Sequence, residues 1–98
     1  MNVRYTRTAL AEIESVFAYI AKDNPAAGAE VIRAVDKTIA RLSEFPLSAV
    51  ATDIPNVRVA PAYPHPYLIF YSVDNETLIV RNIRHAARRR PDSDTQQA

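Results

Sequence analysis

His85 stands near the end of the stretch "LIVRNIRHAARRRPD", residues 78–92, behind Arg81 and Arg84 and ahead of the run Arg88, Arg89, Arg90. Imidazole exchanges a proton near neutral pH, and guanidinium grips phosphate oxygens in a planar, two-point fashion. Together such groups can cut RNA without a metal. The reaction needs a base for the 2′-hydroxyl, an acid for the leaving oxygen and cations for the transition-state charge. If the chain is a nuclease, His85 is the proton carrier and Arg58 and Arg81 supply the charge. Strict two-residue alternation puts Arg81, Ile83 and His85 on one strand face and Arg84 on the other. On that reading Arg81 and His85 can converge and Arg84 cannot readily join them.

Each of these residues also has a plainer reading. A histidine at a strand end, with Ile79 and Ile83 on its own side, is more often a hydrogen-bonded structural residue than a catalyst. Arg58 in mid-strand can pair with a carboxylate across the sheet, and Glu76 or Asp53 could provide one, so its structural and functional readings stand level. The run Arg88 to Arg90 is most simply a solvated tail, although its position also suits an electrostatic clasp for an acidic segment or for DNA. His65, between Pro64 and Pro66 in "YPHPY", reads as part of a stiff loop.

Composition narrows the chemistry further. The chain has no cysteine, which removes thiol nucleophiles, thiolate metal sites and disulfides together. His65 and His85 are the only histidines and neither has an acidic cluster beside it, so no metal or other cofactor is expected. A net charge of +1 is modest for a protein that lives on phosphate contacts, and the positive charge is concentrated in ten arginines against two lysines. The N-terminal "MNVRYTRTAL" carries charge and no long apolar run, so neither a signal peptide nor a membrane span is expected and the cytoplasm is the expected compartment.

The elements that must hold these residues are punctuated by proline, since the 98 residues include a single glycine. The length suits one domain over residues 1–90, followed by a short polar tail, 91–98. "VRY" reads as a short strand, after which Thr6 can cap a helix whose apolar stripe is Leu10, Ile13, Phe17 and Ile20. Asn24 and Pro25 start a second helix at the favoured cap and first-turn positions. Its buried stripe is Val31, Ile32, Val35, Ile39 and Leu42, and Gly28 lets the first helix come close. The opposite face carries Arg33, Lys37 and Arg41 one turn apart; this is the ordinary look of a solvated face, with a binding stripe as the other reading. From residue 47 the period changes to strands around Val57–Val59, "YLIFYSV" and "TLIVRNIRH", the last two joined as a hairpin through "DNE". The middle strand is apolar on both faces. The result is an α+β domain in which an N-terminal strand and helical hairpin pack on a small antiparallel sheet.

The short strand, "TRTALAEIESVFAYIAKDNPAAGAEVIRAVDKTIARLSEFP", the strand bearing Arg58, "YPHPYLIFYSV" and "LIVRNIRHAARRRPD" together resemble the RelE/ParE superfamily of toxins from type II toxin–antitoxin pairs. The match covers roughly residues 2–90 and is closest to the ParE branch, through its "yI…dNP.aA" junction, "L..fP" helix end, "Yp…i.Y.v" strand and final "v..i.H..R". Where the family often has a glycine after that proline, "FPLSAV" has Ser48. The resemblance implies a growth-inhibiting toxin neutralised by a cognate antitoxin whose C-terminal segment wraps the toxin. One branch of the superfamily cuts mRNA on the ribosome and the other poisons DNA gyrase. The mRNA-cleaving branch tends to be lysine-rich and to place a tyrosine just after the last strand, whereas residues 86 and 87 here are alanines. The reading that follows is a gyrase inhibitor rather than an enzyme, with a ribosome-dependent endoribonuclease as the alternative. Arg58, Arg81, Arg84, Arg88, Arg89 and Arg90, with Arg33, Lys37 and Arg41, are its candidate contacts to target and antitoxin. Nucleic acid is expected to be met only through the target.

Overall fold

A computed structural model describes residues 1–88 of the chain. In chain order the elements are β1 (Asn2–Tyr5), α1 (Arg7–Ala21), α2 (Pro25–Glu44), β2 (Val50–Ala51), β3 (Val57–Pro61), β4 (Tyr67–Asp74) and β5 (Thr77–His85), followed by a 3-10 turn at Ala86–Arg88. Among the described residues the strands form one five-stranded sheet in the order β1-β5-β4-β3-β2, with the helical hairpin on one face. The α+β layering read from the sequence is therefore present. The strand β1 runs parallel to β5, so the sheet is mixed, and its antiparallel part is β5-β4-β3-β2. Among these residues no helix is long and apolar enough to cross a membrane.

Thr6 makes the junction. Its backbone N–H donates to the Val80 carbonyl at 3.0 Å, its hydroxyl donates to the Arg81 carbonyl at 2.9 Å, and that hydroxyl oxygen accepts the Ala9 N–H at 3.0 Å. One side chain thus caps α1 and ties its start to β5. Asn24 does the equivalent for α2, accepting the Ala27 N–H at 3.1 Å with Pro25 at the first helical position. Between the helices Gly28 is buried, and a Cβ there would lie 3.2 Å from the Ala21 backbone nitrogen. The expected close approach of α1 is real.

The core is formed by Val31, Val35, Ile39 and Leu42 of α2 against Ile69, Tyr71, Leu78, Val80 and Ile83 of the sheet. The stripe of α1 needs correcting. Ala9, Ile13, Val16 and Ile20 face the core, whereas Leu10 is 51% and Phe17 41% exposed. The small Ala9 lets the helix start sit close against the sheet, which rotates the larger Leu10 outward. Phe17 lies at the seam beside Gly28 instead, its Cδ1 3.3 Å from where that glycine's Cβ would be.

In β4 the alternation holds: Tyr67, Ile69 and Tyr71 are buried under the helices, while Leu68 and Phe70 sit half-buried on the other face. A two-residue connection, Asn75-Glu76, joins it to β5, with Asn75 in the left-handed region at φ 56°. The proline end of α2 is closed by Ser48, whose N–H and hydroxyl both donate to the Phe45 carbonyl, at 3.1 and 2.7 Å.

Candidate functional site

The sheet face away from the helices is open, and the segment 51–57 rises beside it as a wall. Between wall and sheet lie two adjoining cavities of about 550 and 380 Å³. They share Ile54, Phe70 and Asn82. Phe70 forms the middle of the floor, Arg84 lines one end and Arg81 the other. Val59 and Leu68 extend the apolar floor on the Arg84 side.

Arg81 reaches this face because β5 contains a bulge. Phe70 pairs with Asn82, but the next β4 residue, Tyr71, pairs with Val80, so Arg81 has no partner across β4. The extra residue shifts the strand's phase. Ile83 and His85 point toward the helices, with Arg84, Asn82 and also Arg81 on the open side. The Arg81 guanidinium donates from Nη1 to Ser72 Oγ at 3.3 Å, which orients it along the groove. This overturns the expectation that Arg81 and His85 converge while Arg84 stands apart. The two arginines share a groove and the histidine is on the far side.

The bulge also leaves backbone groups of β5 to satisfy beyond the end of β1, and α1 supplies a partner. A Glu12 carboxylate oxygen accepts the Ile83 N–H at 2.8 Å and the Asn82 side-chain amide at 3.4 Å. Glu12 is half-buried and stitches helix to strand.

His85 packs edge-to-face on Tyr67, with ring centroids 5.2 Å apart and planes at 86°. Its Nδ1 accepts the Ala87 N–H at 3.1 Å, closing the 3-10 turn after β5. Arg58 also faces the helix side, in register with Tyr71, and donates from Nη1 to the Ala49 carbonyl at 2.7 Å. That carbonyl, not Asp53 or Glu76, receives it. His85 is opposite Tyr67, four residues along β4 from Tyr71, so about 13 Å of strand separates it from Arg58. The trio His85, Arg58 and Arg81 is therefore spread over two faces and two ends of the sheet, and no common substrate atom lies within reach of all three.

On α2, Arg33, Lys37 and Arg41 are exposed. Arg33 and Lys37 line a separate cleft with His65, while Arg41 lies close enough to Tyr71 to influence its phenol. Arg88 ends the 3-10 turn. Arg89, Arg90 and the tail 91–98 lie outside the described residues. The sequence reading missed Phe70 and Asn82 as groove residues. A signal existed: apolar residues at 78, 80 and 83 change spacing from two to three across the consecutive polar pair Arg81-Asn82, which is what a bulge requires.

Comparison with known proteins agrees with this architecture. The chain is 30% identical over 90 residues to "Putative toxin Y4kP" of Sinorhizobium fredii, covering 92% of this chain and 93% of that protein. A solved structure titled "Chromosomal ParDE TA system from P. aeruginosa" superposes with a TM-score of 0.75 over 87% of this chain and 95% of its own, at 16% identity, which establishes a shared fold. The family model described as "ParE toxin of type II toxin-antitoxin system, parDE" matches residues 3–90, and the chain belongs to that family.

Proposed function

We propose that the protein inhibits growth by binding DNA gyrase and stabilising its broken-DNA intermediate, and that a cognate antitoxin neutralises it by covering the open sheet face. It acts in the cytoplasm, as a binding protein rather than a nuclease. The observation that carries the reading is the groove itself. An apolar floor centred on Phe70 ends in Arg81 and Arg84, and the single helical layer lies on the other face. A surface of that kind suits a protein segment with apolar side chains flanked by carboxylates. Against nuclease chemistry stands the dispersal of His85, Arg58 and Arg81, which deprives a scissile phosphate of a proton carrier beside its cations.

The test is direct. Purified protein should block supercoiling by gyrase and accumulate cleaved DNA while ribosome-bound mRNA stays intact. His85→Gln keeps hydrogen-bonding capacity and should leave toxicity unchanged. A folded His85→Gln protein that has lost toxicity, alongside a wild type that cuts ribosome-bound codons, would establish the endoribonuclease instead. The antitoxin should be encoded next to the toxin gene and co-purify with this chain.

A further inference from the structure

On the helical side of the molecule, away from the groove, Arg33 and Lys37 of α2 face the loop between β3 and β4 across a cleft of about 410 Å³. His65 and Pro64 form its other wall, and among the described residues Glu30 is the one acidic residue lining it. The loop that presents His65 is held firmly. The Ala62 N–H donates to the Tyr67 carbonyl at 2.9 Å, the His65 N–H to the Ala62 carbonyl at 3.0 Å and the Tyr67 N–H to the His65 carbonyl at 2.9 Å. Prolines at 64 and 66 restrict the rest of it.

Three donor side chains from two elements thus line one space. Among the described residues no hydrogen bond or ion pair engages the side chain of Arg33, Lys37 or His65. Glu30 is three residues from Arg33 on the same helix, the spacing at which an ion pair forms readily, and still the two do not pair. Among the described residues, these donors face the cleft unengaged.

We propose that Arg33, Lys37 and His65 form a phosphate-binding cleft whose ligand is the phosphodiester backbone of duplex DNA. This rests on the reading that the protein works where gyrase holds DNA. Arg33 and Lys37, one turn apart on α2, face His65 across the cleft, so donors reach a phosphodiester from two sides, and a duplex offers successive phosphates to the two cations. Arg41, one helical turn beyond Lys37, continues the positive line toward an adjacent phosphate. The cleft is remote from Arg81 and Arg84, so DNA held here leaves the sheet groove free for a protein segment.

The experiment uses the full chain without gyrase, so that it fails or succeeds independently of the gyrase reading. The His65 ring signals and the Arg33 and Lys37 amides are followed by NMR during separate titrations with inorganic phosphate, a short mixed-sequence DNA duplex and polyglutamate. Phosphate and duplex should move these signals, polyglutamate should not, and duplex affinity should fall as salt rises. In an Arg33→Gln/Lys37→Gln variant with an unchanged melting profile, the slope of log affinity against log salt should lose about two units of magnitude. Arg7→Gln, at the start of α1, should retain the wild-type slope. The proposal is overturned if the duplex leaves the His65 signals unmoved, if the double variant keeps the full salt slope, or if polyglutamate binds the cleft in place of the duplex.

Discussion

Tyr71 shows how one side chain joins the layers. Its ring is fully buried beneath α2, and its hydroxyl donates to the Pro46 carbonyl at 2.6 Å, fastening the end of α2 to the central strand. Burial pushes the phenol's pKa up, against a smaller pull down from the guanidiniums of Arg58 and Arg41. A raised folded-state pKa means stability that is fully present below the unfolded value, about 10, and is lost as pH climbs from there through the folded value. Tyr71→Phe strands the Pro46 carbonyl, and at neutral pH it should cost about 1–3 kcal/mol in urea unfolding. The gap between wild type and variant should narrow as pH rises beyond 10. A gap that stays constant into that range contradicts the proposed burial effect. Tyr5, raised by burial and then by Asp36, is a second group titrating in the same direction, so the comparison is best made in a Tyr5→Phe background.

At the scale of elements, two contacts decide how α1 is placed. Gly28 admits the backbone of α1, and Gly28→Val should cost about 1–3 kcal/mol because the Ala21 nitrogen cannot move aside without shifting the helix. Gly28→Ala should come out close to neutral, since roughly 1 kcal/mol of gained helix propensity opposes a milder crowding. Glu12→Ala leaves the Ile83 N–H without its acceptor and should destabilise by about 1–3 kcal/mol, whereas Glu12→Gln keeps an amide oxygen in place and should restore most of the loss. Denaturant midpoints of the four variants check both statements. The caps at Thr6 and Asn24, the hairpin, Gly28 and the two-faced character of β4 were all legible in the sequence, because each is a local or periodic signal. The phase of α1 was not, because large side chains were allowed to define the stripe and Ala9 carried the closest contact. The strand face of Arg81 was hidden for a related reason. One inserted residue in β5 exchanges strand faces, so a reading based on alternation alone paired Arg81 with the wrong neighbour.

For the molecule as a whole, the net charge of +1 conceals an uneven distribution, with arginines at the ends of an apolar groove and a second basic site beside α2. The helices cover one side of the sheet and leave the other open; with the antitoxin seated there as proposed, part of the molecule's effective stability is expected to come from it. By mass action, an antitoxin at a hundredfold excess over its dissociation constant adds about 2.7 kcal/mol. For a domain of this size that corresponds to a rise in melting temperature of roughly 10–20 °C. Reversing both groove arginines, Arg81→Glu with Arg84→Glu, removes the clasp while leaving the helix-side core untouched. Thermal melts of the free variant should stay close to wild type, and the antitoxin-linked rise should shrink or vanish. Equal protection of variant and wild type would mean that the antitoxin seats elsewhere, and the exposed Leu10 and Phe17 of α1 would become the surface to examine next.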